Sequence, residues 1–209
     1  MHTGAQYHQF FLTSRREVAI RERFQQHVQR LLAPGAVVLD FGAGTGIDAK
    51  TYAGKGHRTY VYEPSPSMRA HLELYCRDDI AAGEVVILDA DLPCQVDAVT
   101  ANFAVLNHIA DQRTLFAQLS GVVRPGGFIL ASVLNPYFLG DAKYSWWRNN
   151  LLNLVRHGHY GFATESGIHR FTPRLPARAA RPHFHLDPVF PGGVGKLFAP
   201  YLFLLFRRT

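Results

Sequence analysis

The chain has 209 residues, 47% of them hydrophobic, a formal charge of +6 and only two cysteines. That length suits one domain with a sizeable core, and the composition is that of an ordinary globular protein, not a fibrous or disordered one. Cys76 and Cys94 give no disulfide framework and no metal-ligand spacing, Met1-His2-Thr3-Gly4 lacks a charged-then-apolar leader, and the run from Tyr201 to Phe206 is far too short to span a bilayer, so a reduced, cytoplasmic setting without a transmembrane segment or a bound metal is expected.

In chain order, residues 15–32 carry Val18, Ala19, Phe24, Val28, Leu31 and Leu32 at helical spacing, and Pro34-Gly35 ends that helix. Residues 37–41 form a first predicted strand. A glycine-rich turn then leads into a short helix that stops at Gly54-Lys55-Gly56. Residues 58–62 are a second strand. Ser65-Pro66 offers a cap and a first-turn proline to a helix running to about Arg77. Residues 84–88 and 97–102 are strands three and four. A helix over 112–123 carries Leu115, Phe116, Leu119 and Val122, and strand five follows Gly126-Gly127. Residues 144–155 and 172–181 read as helices, and 183–190 and 200–206 as two last strands. Strands alternating with helices argue for a parallel sheet covered on both faces. Ligands then bind outside the carboxyl ends of the strands. Asp40, Glu63, Asp89 and Asn102 all fall at such ends.

The stretch Asp40-Phe41-Gly42-Ala43-Gly44-Thr45-Gly46 closes the first strand. Glycines at alternate positions let a ligand lie on bare backbone, and the helix start aims free N–H groups at it. A dinucleotide turn reads G-x-G-x-x-G. Here the spacing is G-x-G-x-G, Ile47 stands at the place of the last glycine of that fingerprint, and a carboxylate precedes the turn. A carboxylate suits an ammonium better than a pyrophosphate, which points away from NAD and towards a cationic, amino-acid-bearing nucleotide.

This stretch resembles motif I of the class I S-adenosylmethionine-dependent methyltransferases. Four further segments match in order: Tyr60-Val61-Tyr62-Glu63, the third-strand stretch Val85 to Pro93 (one residue short of the commonest spacing), Val96 to Phe103, and Val122 to Leu130 with Pro125-Gly126-Gly127. The resemblance covers about residues 30–135 and implies an α/β, Rossmann-like, seven-stranded single domain with helices on both faces and an antiparallel closing hairpin. It divides the chain into an N-terminal helical segment (1–33), a cofactor-binding core (34–135), an aromatic, basic cap insertion (136–182) and the hairpin (183–209). The implied cofactor is S-adenosyl-L-methionine, with S-adenosyl-L-homocysteine as product. By the same resemblance, Asp40 and the backbone of Gly42, Ala43, Gly44 and Gly46 hold the methionyl end. Glu63 takes the ribose hydroxyls, Asp89 (with Asp91 as the alternative) and Ala90 face the adenine, Pro64 and Met68 pack on it, and Asn102 lines the same edge.

The acceptor is less legible. Asn102-Phe103 is followed by Ala104-Val105 and not by paired prolines, so adenine-N6 methylation of DNA is not expected. His108, just past strand four, and His169 are candidate general bases. A hydrogen-bonded structural role is the alternative for each. Tyr7, His8, Tyr137, Trp146 and Tyr160 are candidate acceptor contacts. Core packing is the alternative for the last three, and a disordered start for Tyr7 and His8, which precede the first long helix where the family resemblance implies a segment folded over the cofactor. Residues 140–209 hold 10 Lys/Arg against 3 Asp/Glu, which is either a solvated face or the approach for an anionic or carrier-bound acceptor. The expected activity is methyl transfer to a small or medium-sized organic acceptor, at O or N and with C as an option. RNA or protein as acceptor, and a cofactor-binding regulator without turnover, remain the rivals. The oligomeric state stays open.

Overall fold

The computed structural model describes residues 3–89, 95–161 and 167–209. In chain order the strands are β1 (Val37–Phe41), β2 (Arg58–Tyr62), β3 (Val85–Leu88), β4 (Val96–Ala101), β5 (Val123–Leu134), β6 (His159–Gly161), β7 (His169–Phe171), β8 (Phe184–Leu186) and β9 (Tyr201–Arg208). The helices are α1 (Gly4–Thr13), α2 (Arg15–Leu31), α3 (Ile47–Ala53), α4 (Pro66–Tyr75), α5 (Arg77–Ala81), α6 (Gln112–Val122), α7 (Ser145–His157) and α8 (Arg174–Ala180). The main sheet runs β3-β2-β1-β4-β5-β9-β8. β1 to β5 pair in parallel, β9 is antiparallel to β5, and β8 is antiparallel to β9. The expected seven-stranded α/β domain with an antiparallel end is therefore what the chain forms.

Strand alternation decides what each face carries. On one face, Val38, Ala98, Phe128, Leu130 and Phe203 pack against Phe24 and Val28 of α2 and Tyr52 of α3. On the other, Leu39, Val99, Ile129, Leu204 and Phe206 pack against Leu115, Phe116 and Leu119 of α6 and Ala180 of α8. Asp40 and Thr100 share the parity of Val38 and Ala98, so they turn toward α2 and α3. The next residues of that parity beyond β4 and along β5, Asn102 and Ser132, join them at the carboxyl edge.

Three elements go beyond the sequence expectations. The first is α1, whose start is a capping box: Thr3 Oγ1 accepts from Gln6 N, and Gln6 Oε1 accepts from Thr3 N. The second is α5, which continues after the chain breaks helical form at Cys76. The third is the β6–β7 pair, a small antiparallel ladder in the aromatic segment with Tyr160 opposite Arg170. Ser65 is the N-cap of α4 with Pro66 behind it, but it makes no side-chain cap bond. Its backbone N–H instead donates to Glu63 Oε1 at 2.8 Å. Among the described residues, no helix is long and apolar enough to cross a membrane.

Candidate active site

The glycine turn is built by β2 as much as by β1. Gly42 N and Ala43 N both donate to the carbonyl of Tyr62, at 2.8 and 3.1 Å. Gly44 N donates to Glu63 Oε2 at 2.7 Å. Glu63 therefore bridges two backbone N–H groups, one on the turn and one at Ser65, and each of its oxygens retains a further lone pair. Gly46 is left-handed and caps α3. A Cβ at Gly44, by contrast, would meet only the ring of Tyr7, at 3.7 Å. The backbone at Gly44 thus faces α1 across a gap and not a packed wall.

Beneath the turn lies a buried polar ladder. Thr100 Oγ1 donates to Asp40 Oδ1 at 3.0 Å, and Asp40 Oδ2 is buried without a hydrogen-bond partner. Burial, and then the nearby Asp48 carboxylate, push the Asp40 pKa up to about 8, against the pull of the Thr100 hydroxyl and Arg21. Asp48, in the first turn of α3, accepts from Arg21 Nη1 at 2.7 Å, from Gln25 Nε2 at 2.7 Å and from Asn102 Nδ2 at 3.0 Å. Asn102 Oδ1 in turn accepts from Ser132 Oγ at 2.7 Å and from Phe103 N at 2.9 Å. These bonds hold Phe103 and Ala104 in the left-handed region, φ 53° and 67°, where side chains are unfavourable. Such strain persists only where surrounding contacts over-determine it.

α1 lies across this edge. His8 Nδ1 is 2.9 Å from Thr45 Oγ1 of the turn, and its ring packs on His71 and Tyr75 of α4. Burial, helped by His71 and Arg21, lowers the His8 pKa. Phe11 meets Phe103 edge-on, and the Arg21 guanidinium stands over both rings. Tyr7 titrates only at about 12, chiefly because it is buried.

A second group forms around Arg170 of β7. Its Nη1 donates to the Asn135 carbonyl at 3.0 Å and to Asp141 Oδ2 at 2.8 Å, and its guanidinium lies over the Trp146 ring. Tyr160 is buried opposite it. Asn135 ties this group to the β8–β9 connection through the carbonyls of Lys196 and Ala199. Tyr201, at the start of β9, links the two groups. Its ring meets Phe103 edge-on, and its hydroxyl, raised in pKa chiefly by burial, feels both Tyr7 and Arg170.

The residues singled out from sequence divide accordingly. Asp40, Gly42, Ala43, Gly44, Gly46, Glu63, Asn102, Tyr7 and His8 come together on one edge. Met68 is half-buried and Pro64 exposed beside them. Asp89 is exposed and paired with Arg69 at 2.7 Å. Ala90 and Asp91 lie outside the described residues. Tyr137, Trp146 and Tyr160 stand with the second group. His169 belongs to β7, where its carbonyl accepts from Asn107 Nδ2 at 2.6 Å. His108 ends a short 3-10 turn and is exposed. Sequence reasoning missed Arg21, Asp48, Arg170 and Tyr201. The signal for Arg21 was present: the buried stripe of α2 is Glu17, Arg21, Phe24 and Val28, at spacings of four, three and four.

Residues 14–172 match the methyltransferase-domain family, and the chain belongs to the class I S-adenosylmethionine-dependent methyltransferases. The methyl donor of that family is S-adenosylmethionine. The ubiquinone biosynthesis O-methyltransferase of Xanthomonas campestris pv. campestris is 32% identical over 111 residues, 51% of this chain and 46% of that protein. The chain thus spans about half the length of the curated relatives it matches. In fold it is similar to the TehB-like methyltransferase of Corynebacterium glutamicum, with a TM-score of 0.64 and 15% identity over 99% of this chain and 98% of that one. It is also similar to the 1,6-didemethyltoxoflavin-N1-methyltransferase of Burkholderia thailandensis, with a TM-score of 0.64 and 20% identity over 99% and 87% of the two chains. That structure holds 1,6-didemethyltoxoflavin and S-adenosylhomocysteine.

Proposed function

We propose that this protein transfers a methyl group from S-adenosylmethionine to a small or medium-sized organic acceptor, at oxygen or nitrogen. The observation that carries this reading is the covering of the acidic edge by α1, with Tyr7 over Gly44 and Phe11 against Phe103. A covered cleft favours an acceptor small enough to enter over a polymer lying across an open face. The names of two matched proteins, an O-methyltransferase of ubiquinone biosynthesis and an N1-methyltransferase of a toxoflavin precursor, support oxygen and nitrogen as target atoms.

The residues present fit the donor. Asp48 and Glu63 both add to the cost of ionising the buried Asp40, and Arg21 is paired with Asp48, so the edge has room for positive charge. Asp40 and the turn backbone would hold the ammonium end. Arg21 Nε, buried without a partner, would reach the carboxylate. Glu63 would accept from the ribose hydroxyls with its remaining lone pairs, and Asp89 with Ala90 would face the adenine beside Pro64 and Met68. S-adenosylmethionine supplies a methyl group already activated on a sulfonium.

What remains for the protein is to align the acceptor and exclude water. α1 covers one side, and residues 136–161 and 167–170, with Tyr137, Trp146 and Tyr160, cap the acceptor on the other. Where the acceptor carries a proton to be lost, His169 is the candidate base, because Asn107 fixes its strand. His108, exposed beyond β4, is the second candidate. An acceptor screen with isotope-labelled donor tests the reading: label is expected on phenolic, carboxylic or amine compounds. Turnover confined to RNA or protein would refute it, and donor binding without any turnover would make the protein a regulator.

A further inference from the structure

A groove of about 990 Å³ opens between the end of α7, α8 and the β8–β9 connection, outside the cluster around Asp40. Arg156, His157, Arg174, Arg178 and Lys196 all line it, and among its lining residues there is no carboxylate. Arg174 and Arg178 stand one helical turn apart on α8, and Lys196 faces them from the connection with its ammonium over the Tyr137 ring. The two described acids of the C-terminal third, Asp141 and Asp187, are taken by Arg170 and Arg207, so no described acid of this third pairs with these cations. A cleft lined by one sign of charge focuses its field and gathers counter-charge.

The same groove has an apolar wall. Leu151 and Val155 of α7 are 38% and 82% exposed on one side, and the half-buried Leu175 and Val189 form the rest. A solvated basic face accounts for the arginines but not for aliphatic side chains left open beside them.

We propose that this groove is a binding site for an anionic amphiphile, a molecule with a phosphate or carboxylate head on an apolar body. The head lies among Arg174, Arg178 and Lys196, which can meet it with charge-assisted hydrogen bonds. The body lies along Val155, Leu175 and Val189. The site is separate from the donor edge, so its occupancy is read by binding and does not depend on the methyl-transfer reading.

Decyl phosphate, titrated calorimetrically into the full chain below its micelle concentration, is the probe. It is expected to bind at one site. Arg174→Gln with Arg178→Gln should weaken it by roughly tenfold or more. Lys196→Gln and Val155→Asp give independent variants on the opposite walls and should weaken it as well. Lys55→Gln, which removes an exposed cation from the turn before β2, should leave it unchanged. Inorganic phosphate and decanol, each carrying half of the ligand, should bind at least about tenfold more weakly than decyl phosphate. Phosphatidylglycerol vesicles separate the sources of such a head group. Co-sedimentation with vesicles together with monomer binding supports a lipid ligand taken into the groove. Vesicle binding without monomer binding overturns the proposal in favour of a membrane-resting surface. Failure of decyl phosphate to bind, or equal binding by the folded arginine double variant, also overturns it.

Discussion

Arg21 of α2 and Asp48 of α3 form a buried ion pair at 2.7 Å, 27 residues apart in the chain, and it joins the first long helix to the helix that follows the glycine turn. Asp40 lies close by and is also eased by the Arg21 charge, so the guanidinium serves two buried carboxylates. Removing one partner of a buried pair costs more than the pair contributes, because the other charge stays behind. Arg21→Met should therefore destabilise the protein by about 3–5 kcal/mol in urea unfolding. A loss below about 1 kcal/mol, the range of solvent-exposed pairs, would show that water reaches Asp48.

Asp40 makes stability depend on pH in an unusual direction. Its folded pKa is raised from 3.8 to about 8, so the folded state binds this proton more tightly than the unfolded chain does. Stability should then fall as pH climbs from about 4 to about 8, because the unfolded chain gives up the proton first. Asp40→Asn should flatten that slope and unfold at higher urea than the wild type at about pH 8. Parallel curves for the two proteins across this window would show that Asp40 is already ionised in the fold.

Glu63 holds the turn and is the proposed ribose partner. Glu63→Ala should weaken S-adenosylmethionine binding by about 1–3 kcal/mol, the scale of hydrogen bonds to a charged group. Circular dichroism should stay native, since the two N–H groups it releases lie at a partly solvated edge. An unchanged affinity in the folded variant would place the ribose contact elsewhere.

The glycines of the turn should rank by what surrounds them. A Cβ at Gly46 would stand 2.7 Å from Cys76 Sγ and 3.0 Å from Leu72 Cγ, on a backbone with φ +82°. Gly46→Ala therefore adds overpacking of about 1–3 kcal/mol to the backbone strain. Gly44→Ala meets only the Tyr7 ring, at an ordinary contact of 3.7 Å, and should lose only the strain of roughly 1–2 kcal/mol. Thermal melts of the two variants check the order, and a less stable Gly44→Ala would refute it.

What the sequence makes legible is local. The strand ending in Asp40, the alternate glycines and the acid at Glu63 each lie within a few residues, and β-strand parity orients them. The pairing of Arg21 with Asp48 is not local. It depends on how α2 crosses the sheet, and a search for apolar positions passes over the charged members of its buried stripe. The aromatic segment is legible as a helix over α7 but not as the β6–β7 ladder, because three-residue strands are too short to show alternation. The acid at Asp89 is legible as a strand end, yet its side chain turns out to Arg69, a contact set by α4 packing and not by the strand.

The two faces of the sheet also imply a division of labour in inheritance. One layer, against α2 and α3, mixes acids, amides and hydroxyls in a connected network; the other packs hydrocarbon side chains such as Leu39, Ile129 and Phe206 against α6 and α8. Substitutions within a network are coupled, whereas those far apart add independently. Drift on the hydrocarbon side can thus proceed one methyl group at a time, with melting temperature as its main consequence. A change on the polar side demands a compensating partner, so that layer should move in linked pairs.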